Sequence, residues 1–109
     1  INKKKQISEL VNSNLRIIKR ILSTYIKLNI IIKKPNDILV KKKKICGILN
    51  ETLFNDNLKF VVVGIGINIA SSPNLRNYPT TNLNEITNQK VSKIKLLNKI
   101  IKAFESKIK

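Results

Sequence analysis

The chain has 109 residues, 22 of them basic and 6 acidic, with a formal net charge of +16, one cysteine and no histidine. That length fits one small domain with a modest core. The composition excludes an internal disulfide and a Cys/His metal cluster, and no apolar run nears the roughly 18 residues of a membrane span. The charge points first to nucleic acid. Yet only Arg16, Arg20 and Arg76 are arginines, while Lys, Ile and Asn make up about half the chain. That pattern fits compositional bias better than a surface selected for bidentate phosphate and base contacts. Two tyrosines and three phenylalanines supply a base-stacking platform poorly. We therefore expect no nucleic-acid binding by this segment and no membrane partner. A lone cysteine and no signal-peptide pattern fit a reducing, cytoplasmic setting.

Residues 1–6 are polar and expected to fray. Val11, Leu15, Ile18, Leu22 and Tyr25 recur at spacings of three and four, which predicts an amphipathic helix from Ser8 to Leu28 with Ser8 as its N-cap. Leu28 to Ile32 is a β-branched run that reads as a strand, interrupted by Pro35 and resumed at Ile38 to Val40. Ile45 to Leu49 is the next strand and extends toward Leu53, before a turn at Asn55 to Asn57. Leu58 to Ala70 is apolar almost throughout, so its first half is expected to be a strand buried on both faces. Ser71 to Asn82 reads as a loop. Ile94, Leu97, Ile101, Phe104 and Ile108 form a second stripe, predicting a helix from Ser92 onward. Short links favour antiparallel pairing, so the fold class is α+β: a mixed, largely antiparallel sheet flanked by amphipathic helices.

Three stretches can carry chemistry. In "GIGINI" (Gly64 to Ile69), the third position of a dinucleotide fingerprint holds Ile69 and no helix follows, so that motif fails. The glycines then signal either close approach of a ligand or a β-bulge with a turn-forming Asn68. Lys41 to Lys44 should form a hairpin tip. Lys44 alone stands at the mouth of a strand with a gap at Gly47, where an amine can hold a carboxylate or phosphate oxygen. By alternation, Ile45, Gly47 and Leu49 share one face, with Cys46 and Ile48 on the other. In "PND", Pro35 restricts itself and Lys34, holding Asn36 and Asp37 at a strand entrance. This is either an Asx-type turn or a carboxylate that helps hold Mg²⁺ bridging phosphates.

"KKPNDIL", "KKICGIL" and "VVVGIGINI" stand in order, followed by "YPTTNL". Together they resemble the catalytic domain of biotin protein ligases over roughly residues 8 to 108. The resemblance implies a class II aminoacyl-tRNA synthetase/biotin ligase-like fold, here incomplete, so that residues 1–109 form part of a catalytic domain. It implies ATP, Mg²⁺ and biotin as ligands, with the biotin carboxyl carrier protein of acetyl-CoA carboxylase as partner and a homodimer through the sheet edge. By position, Lys44 matches the active-site lysine that contacts biotin and the adenylate phosphate. Gly47 and Leu49 match the biotin pocket. Lys33, Asn36 and Asp37 match the motif at the nucleotide phosphates, Asp37 also at the metal, and Asn68 matches the adenine reader.

The sequence also departs from that pattern. Lys34 stands for an aromatic residue, Cys46 for an alanine, and lysines for the usual Asn-Gly turn, which is expected to be longer or bulged. The Arg- and Gly-rich loop that closes over biotinyl-adenylate has no counterpart, and neither does a C-terminal β-barrel. With Ile1 first, the chain reads as the back half of that domain. The competing readings are a basic nucleic-acid-binding domain and a ligase remnant without catalysis.

Overall fold

The computed structural model describes residues 3–74 and 78–108. Its elements are α1 (Lys3–Leu22), β1 (Ile30–Lys33), β2 (Asp37–Val40), β3 (Lys43–Asn55), β4 (Leu58–Ile67), α2 (Leu83–Thr87) and α3 (Lys93–Ile108). The strands form a four-stranded antiparallel meander in chain order. An isolated bridge between Lys44 and Thr80 adds a parallel contact. This is part of the expected α+β fold.

The first helix begins before Ser8 and stops before Leu28. Lys3 to Gln6 are good helix formers and carry the helix on, so Ser8 lies inside it and is not its N-cap. The end is set by Ser23 and Thr24, whose hydroxyls donate to the carbonyls of Arg20 and Ile21 and compete with further helical turns. Leu15, Ile18 and Leu22 of α1 are fully buried, as are Ile38, Val40, Ile45 and Ile48 of the sheet. Each such side chain contributes about 1.5–3 kcal/mol by leaving water.

Two expectations about burial fail. The first half of β4 is not buried on both faces: Leu58, Phe60, Val61 and Val62 are all exposed. The β3–β4 hairpin runs past the helices, so no described element covers its distal half. In α3 the buried side is Leu96, with Ile100, Ala103 and Phe104 packed against the core, whereas Ile94, Leu97 and Ile101 face solvent. The helix is apolar on more than one side, so periodicity alone offers two stripes.

The turns are tighter than expected. Val40 pairs with Lys43, leaving a two-residue tip in which Lys41 (φ 51°) and Lys42 (φ 65°) both take the left-handed region, as the favoured two-residue hairpin turns require. The predicted turn at Asn55 to Asn57 is likewise a two-residue tip, Asp56-Asn57, between the paired Asn55 and Leu58. The expected loop from Ser71 contains 75–77, which lie outside the described residues, and it ends in α2. Asn82 caps α2 by accepting from the Glu85 backbone N–H at 2.9 Å. The Asn-x-x-Glu spacing carries that start signal in the sequence.

Candidate functional site

Lys44 owes its position to an irregularity in β3. Ile38 pairs with Cys46 and Leu39 with Lys44, so Ile45 is an extra residue opposite no partner. A bulge of this kind re-aims the side chains around it. Ile45 turns into the core, fully buried, and Lys44 joins the face that carries Gly47. Simple alternation had placed Ile45 with Gly47 and Leu49; the bulge overturns that. The Lys44 backbone is held on its other side too. Its N–H donates to the Pro79 carbonyl and its carbonyl accepts from the Thr81 N–H, both at 2.9 Å. Asn68 secures the same segment through Nδ2, which donates to the Thr81 carbonyl at 3.1 Å.

The Lys44 side chain lies across Gly47. A Cβ there would stand 3.0 Å from Lys44 Nζ and 3.1 Å from Cε, so any larger residue would displace the amine. The gap expected at Gly47 is thus filled by Lys44 itself. Lys44 Nζ is 3.1 Å from Asp37 Oδ1, and the Tyr78 hydroxyl donates to Asp37 Oδ2 at 2.7 Å. That hydrogen bond pushes the Tyr78 hydroxyl above its ordinary pKa because it favours the neutral phenol. The Tyr78 ring also faces two ammonium groups, Lys33 at 5.2 Å and Lys44 at 5.6 Å from its centroid. Behind the sheet, burial pushes the Cys46 thiol up to about 12, against the opposing pull of Lys44. A thiol so placed is a packing group, not a nucleophile.

Beyond Lys44 the face opens. Gly66 pairs with Gly47, and Gly64 with Leu49. A Cβ on Gly64 or Gly66 would approach no atom closer than 3.8 Å, and neither glycine has positive φ. The β3–β4 register is unbroken, so these glycines serve no bulge and no described side chain uses the space they leave. The result is an open trough of about 580 Å³, within the usual range for small-molecule sites. It brings together Asn36, Lys44, Gly47, Leu49 and Asn68. Asp37 meets it through Lys44. Lys33 does not line it; it pairs with Asp37 across β1 and β2, and its amine lies over the Tyr78 ring.

Residues 3–68 match the sequence profile of the biotin/lipoate A/B protein ligase family. The chain belongs to this family. Among relatives, the bifunctional ligase/repressor BirA of Bacillus subtilis (strain 168) is 35% identical over 83 residues, which is 70% of this chain and 25% of that protein. Among solved structures, the apo biotin protein ligase of Aquifex aeolicus superposes with a TM-score of 0.78 at 28% identity, covering 99% of this chain and 49% of that one. LipL1 of P. falciparum in complex with lipoate gives 0.67 at 25% identity, covering 88% and 30%. The chain spans about a quarter of the length of the curated relatives it matches and about half of the Aquifex enzyme.

The described residues offer no all-protein cage for Mg²⁺. Both Asp37 oxygens are engaged, one by Lys44 and one by Tyr78. Among the described residues there is no group of three or more His, Cys, Asp or Glu side chains that could hold a metal. Mg²⁺ at nucleotide sites is held by one or two carboxylates together with substrate phosphate oxygens and waters, so Asp37 could serve such an ion only alongside the phosphates of a bound nucleotide. Sequence reasoning missed Tyr78. It stands 41 positions from Asp37 in a loop, and the only hint was its place in "YPTTNL".

Proposed function

We propose that this chain is the sheet-bearing part of the catalytic domain of an ATP-dependent biotin protein ligase. Such an enzyme forms biotinyl-5'-AMP and then transfers biotin to a lysine of the biotin carboxyl carrier protein of acetyl-CoA carboxylase in the cytoplasm. The observation that carries the reading is the pair Gly64 and Gly66. They clear a trough that no described side chain of this protein fills, beside the amine of Lys44. Biotin rather than lipoate is favoured by the biotin protein ligases among the solved structures, at 28%, 30% and 32% identity, against 25% for LipL1 in complex with lipoate.

In the first step a biotin carboxylate oxygen attacks the α-phosphorus of ATP. The oxygen–phosphorus bond forms as the bond to pyrophosphate breaks. Lys44 is placed to attract the incoming carboxylate and to stabilise charge on the α-phosphate oxygens, a contact stronger in the transition state than before it. Asn36, on the trough wall, would donate to phosphate oxygens, and Asn68 keeps amide capacity for an adenine edge. ATP enters as its magnesium complex, with no step assigned to the metal. In the second step the carrier lysine attacks the acyl carbon and AMP leaves. No side chain of this protein acts as nucleophile, in keeping with a sequence that has no histidine and with an inert Cys46. The outer edge of β4, which pairs with no described strand, is where we place the proposed homodimer contact.

The test is calorimetry of the 109-residue chain with a non-hydrolysable biotinyl-adenylate analogue and with its lipoyl counterpart. We expect binding of the biotinyl form, weakened about tenfold or more by Lys44→Ala and changed little by Lys43→Ala, since Lys43 is exposed. Equal losses at the two lysines would remove Lys44 from the site, and preference for the lipoyl analogue would move the substrate to lipoate. Given ATP, Mg²⁺, biotin and a carrier domain, the chain by itself is expected not to ligate. The intermediate is an anhydride that water destroys in an open trough.

A further inference from the structure

Lys44 has a long side chain, and fixing it in one geometry costs side-chain entropy. A single exposed carboxylate would fix it weakly. Asp37 is not such a carboxylate, because its second oxygen is tied to Tyr78. We propose that Tyr78 is a positioning residue. By holding Asp37 Oδ2 it turns Oδ1 toward Lys44, and so sets where the amine sits above Gly47. The inference rests on reading Lys44 as the cation of the trough.

Four observations converge on it. The hydroxyl and the amine take different oxygens of one carboxylate, at 2.7 and 3.1 Å, so neither displaces the other. The ring lies 5.6 Å from the Lys44 amine, close enough for a cation–π attraction that adds to the same placement. Tyr78 directly precedes Pro79, whose carbonyl accepts from the Lys44 N–H, and Thr81 donates back to the Lys44 carbonyl. One short segment therefore grips both the backbone and, through Asp37, the side chain of the same residue. Finally, a Cβ at Gly47 would stand 3.0 Å from Lys44 Nζ and 3.6 Å from Asp37 Oδ1, so glycine there leaves the room in which these polar contacts set the amine.

The experiment reads Lys44 directly, without biotin or ATP. The full 109-residue chain is treated with an acylating reagent, and labelling rates are resolved by mass spectrometry for Lys44 and for exposed Lys43 as internal reference. Acylation needs an amine free of its carboxylate. We expect Tyr78→Phe, which keeps the ring, to raise the Lys44 rate about threefold relative to Lys43. Asp37→Asn should raise it further, and Tyr78→Phe should add nothing in the Asp37→Asn background, because coupled residues are non-additive. Circular dichroism of each variant checks the fold. Should Tyr78→Phe unfold, ultraviolet titration of the two tyrosines in wild type and Asp37→Asn replaces it, and the raised Tyr78 transition must fall when Asp37 is removed. An unchanged Lys44 rate in Tyr78→Phe, an equal increase in both backgrounds, or an unmoved phenol titration would overturn the proposal. Because the labelling needs no ligand, its failure is separable from failure of the chain to bind the adenylate analogue.

Discussion

On one face of the β3–β4 ladder, Cys46, Ile48, Val63, Ile65 and Ile67 lie toward the core. On the other, Gly47, Leu49, Gly64 and Gly66 lie along an open trough. The same strands, read every second residue, produce both. The covered face is filled with branched side chains whose burial stabilises the fold. The open face carries residues that a fold alone would not select, since glycine in a strand costs about 0.5–1 kcal/mol relative to alanine. Where a protein accepts that cost without positive φ and without a close neighbour, the space itself is being kept. The difference teaches where stability ends and binding begins: at the bulge of Ile45, which sends one residue to each side.

That division can be broken most sharply on the covered face. Ile48 is fully buried, so Ile48→Ala should cost about 2–5 kcal/mol through lost transfer energy and the cavity left behind. Urea denaturation measures it. A cost below about 1 kcal/mol would mean that the core does not depend on this face of β3.

The open face should behave in the opposite way. Gly66→Val places a β-branched side chain on an exposed strand position, where propensity favours it, so stability should stay level or rise by up to about 1 kcal/mol. The same change fills the trough and should abolish binding of the adenylate analogue in calorimetry. A variant that loses stability and binding together would show that Gly66 serves the fold, and the contrast between the faces would fail.

Much of this was legible in the sequence because it is local. Strand runs, the three motifs and the lysine at the mouth of β3 all follow from neighbours in the chain, and the four strands fall close to where alternation and turn residues put them. What was not legible depends on contacts between distant residues. Alternation put Ile45 beside Gly47 because a bulge depends on the pairing with β2, which β3 alone does not reveal. The Asp37 carboxylate was visible, but its partner Tyr78 was not, because Tyr78 stands 41 residues away in the chain. The apolar run of β4 suggested burial on both faces, but hydrophobicity reports what a strand could bury, not which elements are there to cover it. The same gap explains α3, where two apolar stripes were available and the packing of Leu96 chose between them.

The smallest effect sharpens the comparison at the position where the two faces are closest in sequence. Cys46 sits beside Gly47 and two positions from Lys44 but points into the core, where burial raises its thiol from 9.0 to about 12. A raised folded pKa stabilises the native state fully below the unfolded value, and that contribution is lost as pH climbs from about 9 toward 12, at about 1.4 kcal/mol per unit. Cys46→Ala removes the titration together with a small buried group. It should cost about 1 kcal/mol at pH 8, and the gap to wild type should close or reverse by pH 10. The pH dependence of urea midpoints for the two proteins measures this, and lysine titration cancels in the difference. Thiol labelling at pH 8 offers a parallel reading: the folded chain should react about a thousandfold more slowly than the unfolded one, since only thiolate reacts. A constant gap between wild type and Cys46→Ala across this range, with fast labelling of the folded chain, would place Cys46 on the open face and undo the division drawn here.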